Sequence, residues 1–307
     1  MRIIVTGGAG FIGSHVADRC LVEGHHVTII DNLSTGRAEN INRQADFYKN
    51  DIRDAGRMRQ LFERVRPDAV IHQAAQMDVR KSVDDPIYDA EVNILGSLNL
   101  IRAACEFGCK RFVYASTGGA IYGDTPERPT PETHPPNPLS PYGVSKHTVE
   151  HYLHLWHELE GLQYVALRYG NVYGPRQSPH GEAGVVAIFV GQMLAGRSPT
   201  LYGHGTMTRD YVYVDDAVEA NTLALTRGKA EVLNIGTGVE RSVLDIFTAI
   251  KEHTGFTGEP ILAERRKGEM QNSCLDPSLA RDVLAWTPKV ELAEGLRRTV
   301  EYWRGKA

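Results

Sequence analysis

The chain has 307 residues, 42% apolar and 23% charged, ordinary values for a globular protein long enough to bury a full core. A net charge of −4 with no block of Lys/Arg argues against a protein that lives on nucleic acid. The longest apolar stretch, GVVAIFVGQMLAG (184–196), is too short to span a bilayer, so no membrane role is expected, and MRIIVTGG has none of the build of a signal peptide. Cys20, Cys105, Cys109 and Cys274 form neither a CxxC pair nor a zinc spacing, and read as free thiols of a reducing cytoplasm.

The first element is an apolar strand, RIIVT (2–6), which runs straight into GGAGFIG (7–13). Gly8-x-Gly10-x-x-Gly13 and Gly7-x-x-Gly10-x-x-Gly13 both fit a dinucleotide turn. Glycine is needed where backbone bends tightly and approaches a pyrophosphate. The helix that follows (11–23), opened by Phe11, Ile12 and Gly13, offers unpaired N–H groups and a positive dipole end to phosphates. A second strand, HVTII (26–30), leads to Asp31, 18 residues beyond Gly13. A carboxylate there can bind both ribose hydroxyls and repels a 2′-phosphate, which favours NAD over NADP. Arg37 reads as a solvated surface residue.

MRQLFERV (58–65) reads as a helix, AVIHQAA (69–75) as a strand and NILGSLNLIRAACEFG (93–108) as a helix. The strand RFVYAS (111–116) ends in STGGAIYG (116–123), which sets two hydroxyls and small residues at a strand's end. The proline-dense stretch 125–138 is a loop by composition. LSPYGVSKHTVEHYLHLW (139–156) starts a helix, with Ser140 as cap and Pro141 in the first turn. Tyr142 and Lys146 then lie four apart on one face. An adjacent ammonium favours a phenolate, so the pair is a plausible proton-transfer unit beside a nicotinamide. His147, His151, His154 and His157 form a stripe roughly opposite Val149, Leu153 and Trp156. No carboxylate or cysteine completes a chelate, so the stripe reads as a solvated face or a subunit contact and no metal is expected. YVALRY (164–169) is another apolar strand.

Alternation of helices with strands this apolar predicts an α/β fold with a doubly wound parallel (Rossmann) sheet over 1–170. From 171 to 307 the alternation becomes irregular, which predicts a smaller, mostly ligand-facing α/β domain.

TGGAGFIGSH, DNLSTG, DIRD (51–54), HQAAQ (72–76), Tyr142-x-x-x-Lys146, LRYGNVYGPRQ (167–177) and RDYVYVDD (209–216) stand in an order that resembles the extended short-chain dehydrogenase/reductases acting on nucleotide sugars. The resemblance covers essentially the whole chain. It implies NAD-dependent 4-epimerisation of a UDP-hexose through a 4-keto intermediate, with N-acetylated hexoses also admitted. A homodimer formed through two helices per subunit is implied as well, with 93–108 and the histidine-bearing helix as candidates. About 210–238 is expected to return to the first domain, leaving the rest of 171–307 to the UDP-sugar.

Site residues follow from the same resemblance. Asp31, Asn32, Ser34, Thr35 and Gly36 would hold the adenosine ribose, and Asp51 and Ile52 would lie at the adenine. Ala74, Ala75 and Gln76 would pass the pyrophosphate and nicotinamide ribose, supported by Asn93; Lys146 would reach that ribose and Tyr169 would sit near the nicotinamide. Asn171, Val186, Tyr202, Arg209, Arg266 and Glu269 would meet the UDP moiety, the arginines as clamps on its diphosphate. Tyr142 would take the proton from the sugar's 4-hydroxyl.

Many relatives place a Ser or Thr four residues before the tyrosine here numbered Tyr122, and that position is Gly118. Thr117 would supply the hydroxyl to substrate and cofactor if the turn is shifted; Ser116 is the alternative, and a water above the glycine is a third. Dehydratases and decarboxylating relatives carry acidic groups at the next two positions, here Gly119 and Ala120, which cannot transfer a proton. The small Ser273 falls where the resemblance puts the residue that sizes the sugar pocket. UDP-glucuronate stays open as a substrate through Arg176, as does a reductase that releases its cofactor. A nucleotide-binding protein without chemistry could dispense with Tyr142 and Lys146, and this chain keeps both.

Overall fold

The computed structural model describes residues 1–179, 184–265 and 270–306. In chain order the first half comprises β1 (Arg2–Thr6), α1 (Phe11–Val22), β2 (His26–Asp31), β3 (Asp46–Lys49), α2 (Ala55–Val65), β4 (Ala69–His72), α3 (Val79–Asp84), α4 (Pro86–Ala90), α5 (Gly96–Glu106), β5 (Arg111–Thr117), α6 (Gly118–Tyr122), α7 (Pro141–Glu160) and β6 (Gln163–Tyr169). The second half comprises β7 (Asn171–Tyr173), α8 (Val185–Leu194), β8 (Thr200–Tyr202), β9 (Thr208–Tyr213), α9 (Val214–Leu223), β10 (Glu231–Ile235), β11 (Glu240–Ser242), α10 (Val243–Thr254), β12 (Ile261–Ala263), α11 (Ser278–Leu284) and α12 (Leu292–Arg304).

Seven strands form one sheet in the order β10-β6-β5-β4-β1-β2-β3, every pair parallel. This is the doubly wound Rossmann arrangement expected. Successive strand residues pack on opposite sides. Ile3 and Val5 join a core that runs on through α1, α8, α9, α10 and α12, while Ile4 faces Met58, Phe62, Leu100 and Leu153 of α2, α5 and α7. The strand order reverses between β1 and β4, which puts the ligand crevice of such a sheet at their carboxyl ends.

Three local features differ from the sequence reading. β3 lies at a sheet edge with only one of its four residues even partly buried, so it carries no apolar run to announce it. The strand expected over 69–75 ends at His72, and residues 73–76 form an irregular segment bonded to Thr6 and Asn93. The helix expected from 93 opens as a π-turn, Glu91–Leu95, a form often found at functional sites. Beyond residue 170, β10 joins the large sheet beside β6, while β7, β9 and β11 form one small sheet and β8 and β12 another.

Candidate functional site

The glycine turn stands at the end of β1. Gly7 has φ +68, and a Cβ on it would lie 2.6 Å from the backbone N of Ala74. A Cβ on Gly13 would lie 2.2 Å from the carbonyl oxygen of Gly7. Both positions therefore demand glycine, and together they let α1 start against the turn. Gly10 caps α1 with no side-chain bond, leaving its first N–H groups to a ligand.

At the end of β2, Asp31 is buried and accepts from Ala9 N (3.0 Å) and Leu33 N (2.8 Å). A carboxylate so held retains lone pairs for ribose hydroxyls. A Cβ on Gly36 would come within 2.9 Å of Asp31 Oδ1, so that glycine keeps the carboxylate uncovered from its side. Asn32 donates to Asp51 (3.0 Å) and accepts from Ser34 N (2.9 Å), while Thr35 is exposed. Arg53 bonds Asp51 and holds its carboxyl down to about 2. Ile52 packs against Gly96. These are the features of a dinucleotide cradle, and the residues present fit NAD. Arg37 pairs with Glu39 at 3.6 Å.

The loop after β4 is fixed from two sides. His72 lies between Thr6 Oγ1 (2.7 Å) and Ser97 Oγ (2.8 Å), and burial drives it down to about 3, leaving it neutral. Ala74 N donates to Thr6 Oγ1 and Ala75 follows half-buried. Asn93, in the π-turn, exchanges two hydrogen bonds with the Gln76 backbone (both 2.9 Å) and donates to Ser145 Oγ on α7 (3.2 Å). Gln73 and Asn221 both donate to the Tyr169 hydroxyl, and burial raises that phenol to about 12.

α7 begins where its sequence says it should: Ser140 accepts from Gly143 N (3.2 Å) and Pro141 occupies the first turn. Its first two turns carry Tyr142 and Lys146. Burial pulls Lys146 down to about 7, against Glu150 and Asp89, whose charges raise it. Its Nζ lies 4.3 Å from the centre of the Tyr114 ring. Burial raises Tyr142 to about 12, the Asp89 charge adds to this, and a hydrogen bond with the Thr117 side chain draws it back.

The end of β5 separates its two hydroxyls. Ser116 is buried and donates to Glu150 Oε1 at 2.6 Å, inside an ion pair in which Glu150 takes two bonds from Arg168 (2.9 and 2.6 Å). The Ser116 hydroxyl is thus engaged by Glu150, and Thr117, the next strand residue, points to the other face of β5. Thr117 faces Tyr142, and its side chain plays no part in capping α6. Over Gly118 the space belongs to Leu275: a Cβ there would lie 2.5 Å from Leu275 Cδ2. Asp210 holds that leucine in place by accepting from its backbone N (3.2 Å). A Cβ on Gly119 would meet Met270 Cε and Ser273 Oγ, each at 3.1 Å, so any side chain at this position opposite Ser273 would be tightly packed.

Arg209 clasps the carbonyls of Thr208 (2.7 Å), Met270 (2.9 Å) and Gln271 (3.3 Å), on a strand beside the exposed Asn171. Tyr202 is half-buried at the end of β8, whereas the side chain of Val186 is spent on the core. Arg176 turns to Asp18 on α1 (2.8 Å). Arg266 and Glu269 lie outside the described residues. Of the histidine stripe, His147 bonds Glu150 (3.0 Å) and His151 (3.1 Å), and His157 bonds the Leu162 carbonyl (3.0 Å). Among the described residues no His/Cys/Asp/Glu group could hold a metal ion. Sequence reasoning passed over Asp89, Gln73, Asn221 and the Glu150–Arg168 pair. Only Glu150 left a trace, one turn beyond Lys146 on the same helical face.

Residues 3–236 match the model of the NAD dependent epimerase/dehydratase family. A curated UDP-glucose 4-epimerase of Mycolicibacterium smegmatis is 46% identical over 313 residues, with all of both chains covered. Among solved structures, a UDP-glucose 4-epimerase of Thermotoga maritima with UDP-glucose superposes with a TM-score of 0.98 at 51% identity, covering 100% of this chain and 99% of the other. The Thermus thermophilus UDP-glucose 4-epimerase complex with NAD gives a TM-score of 0.95 at 46% identity, with both chains fully covered.

Proposed function

This chain belongs to the NAD dependent epimerase/dehydratase family, and from that premise we infer an NAD-dependent 4-epimerase of UDP-hexoses, interconverting UDP-galactose and UDP-glucose. The observation that carries the reading is Tyr142 and Lys146 on the first turns of α7, with Thr117 at the carboxyl end of β5 interacting with Tyr142 and no acid at Gly119 or Ala120.

Bound NAD supplies a hydride acceptor and donor for C4 of the sugar. Gly7, Gly10 and the first residues of α1 would hold its pyrophosphate, Asp31 to Gly36 its adenosine ribose, and Asp51 and Ile52 its adenine. Gln76 and Asn93 would fix the strip under the nicotinamide ribose, and the Lys146 ammonium would reach that ribose. The Lys146 charge favours the phenolate of Tyr142, which takes the proton of the 4-hydroxyl and later returns it. Thr117, bonded to Tyr142, would steady the substrate oxygen during that transfer. Asn171 and Arg209 would hold the diphosphate. The 4-keto sugar must turn over between the two half-reactions, so the grip belongs on UDP and the hexose is held loosely.

Ser273, small and facing Gly119, supports acceptance of N-acetylhexosamines. We place the protein in the cytoplasm, in keeping with four unpaired cysteines and no described helix long and apolar enough to cross a membrane. We also propose a homodimer through α7 and the helix formed by the Glu91–Leu95 π-turn and α5, where Leu95 of the π-turn and Val144, Leu155 and Leu159 of α7 are exposed.

The test is NMR of products from a panel of UDP-sugars, without added cofactor and then with NAD. Purified protein should convert UDP-galactose with no added reductant. Tyr142→Phe should lose at least ~100-fold in turnover while still binding UDP-sugar. Persistent activity would remove Tyr142 from its role.

A further inference from the structure

Asp89 lies at the end of α4, where the helix passes into the π-turn. It is 1% exposed. Its Oδ1 accepts from Gln76 Nε2 and Asn93 Nδ2, both at 3.0 Å, whereas its Oδ2 has no hydrogen-bond partner in the protein. Buried carboxylates are ordinarily satisfied or paired with a cation, so a half-satisfied one calls for an explanation.

Its surroundings supply one. Asn93 bonds Asp89, the Gln76 backbone and Ser145, the residue before Lys146. A cavity of about 460 Å³ is lined jointly by Asp89 and by Ser140, Pro141, Val144 and Ser145 of the first turns of α7. The carboxylate therefore sits behind the turns that carry Tyr142 and Lys146. Four other groups face that pair. Glu150, on the same helix, acts on Lys146; Thr117 of β5 bonds Tyr142. His72 of β4 and Tyr114 of β5 lie against Lys146, and burial keeps both neutral. Among the described residues Asp89 is the one carboxylate whose charge acts on both Tyr142 and Lys146.

We propose that Asp89 is a positioning residue of the reaction: a buried anion that serves Tyr142 and Lys146 together and braces the Gln76–Asn93 strip against them. It helps Lys146 stay cationic despite its burial. It also keeps the phenol basic enough to return the proton it has taken, as a reaction that restores the sugar's 4-hydroxyl requires. The proposal rests on the assignment of Tyr142 and Lys146 as the reacting pair.

The pH dependence of kcat/KM of the NAD-loaded enzyme and its Asp89→Asn variant tests it. Removing one negative charge eases proton loss at both groups, so both limbs of the profile should move to lower pH, by ~0.5 pH unit or more. A merely structural role gives a different signature. Water admitted to a loosened site would relax the burial that lowers Lys146 and raises Tyr142, so the limbs would move in opposite directions. Opposite movement, or none, overturns the proposal. Asp89→Glu, which keeps the charge, should leave both limbs at their wild-type positions. Should Asp89→Asn not fold, Asp89→Ser carries the same expectation, and failure of both neutral variants to fold would place Asp89 in the architecture alone and overturn the proposal. Tyr142→Phe separates the two claims: an inactive Tyr142→Phe with an unmoved Asp89→Asn profile defeats this inference only, whereas an active Tyr142→Phe defeats the assignment beneath it.

Discussion

The division of labour between Thr117 and Ser116 gives the sharpest test of the site. Thr117→Val removes a hydroxyl and keeps a β-branched shape at the end of a strand, so the fold should hold. What is lost is the hydrogen bond that draws the Tyr142 phenol down against its burial. A hydrogen bond to a charged group is worth ~1.5–3 kcal/mol, which converts to a fall of roughly 10- to 150-fold in kcat. KM for the UDP-sugar should stay within about threefold, because the contact matters when the phenolate forms rather than when UDP docks. Ser116→Ala should behave in the opposite way. Its hydroxyl supports Glu150, so its removal should cost ~1–2 kcal/mol of stability and leave kcat within about threefold. Steady-state kinetics with UDP-galactose, paired with thermal melts of both variants, reads the two effects separately. The reasoning fails if Thr117→Val keeps wild-type kcat, or if Ser116→Ala is the more damaged catalyst.

Four further outcomes are expected. In Glu150→Gln the buried partner of Arg168 loses its charge, which should cost ~3–5 kcal/mol and lower the melting temperature by roughly 5–15 °C. Burial alone would raise the Glu150 carboxyl, but Arg168, His147 and Ser116 more than offset it and hold it down to about 2, below its ordinary 4.5. Its stabilising contribution is therefore complete above pH ~4.5 and lost as pH falls toward 2, so acid melts of the wild type should steepen in that window and those of Glu150→Gln should not. Gly13→Ala drives a methyl to 2.2 Å from the Gly7 carbonyl, so the purified variant should carry no NAD when its released nucleotide is assayed. UDP-GlcNAc should turn over as well as UDP-galactose; brisk UDP-galactose conversion with no detectable UDP-GlcNAc product would remove the specificity assigned to Ser273.

The parallel sheet was legible in the chain because its inner strands are buried on both faces and so spell continuous apolar runs, as in IIV (3–5) and AVI (69–71). β3 escaped notice because an edge strand with a solvated face needs no such run. The dinucleotide turn was legible for a steric reason: only glycine fits where Gly13 touches the Gly7 carbonyl, and backbone constraints of this kind are written in residue identity. The start of α7 was legible through Ser140 and Pro141, and the spacing of Tyr142 and Lys146 followed from it.

The third hydroxyl was not settled there. STGGAIYG offers Ser116 and Thr117 as chemical equals, and the choice lies in what each face of β5 meets. Ser116 meets Glu150 and Arg168, contributed by α7 and β6, whereas Thr117, the last residue of the strand, meets Tyr142. Gly118 likewise takes its meaning from Leu275, 157 positions away in the chain and held by Asp210. Asp89 is one acidic residue among 38 until the fold buries it behind the reactive helix. Local rules of backbone and periodicity act over a few residues and can be read from the chain, whereas the field at Tyr142 is summed over groups from β5, α4 and α7, and only their packing brings those together.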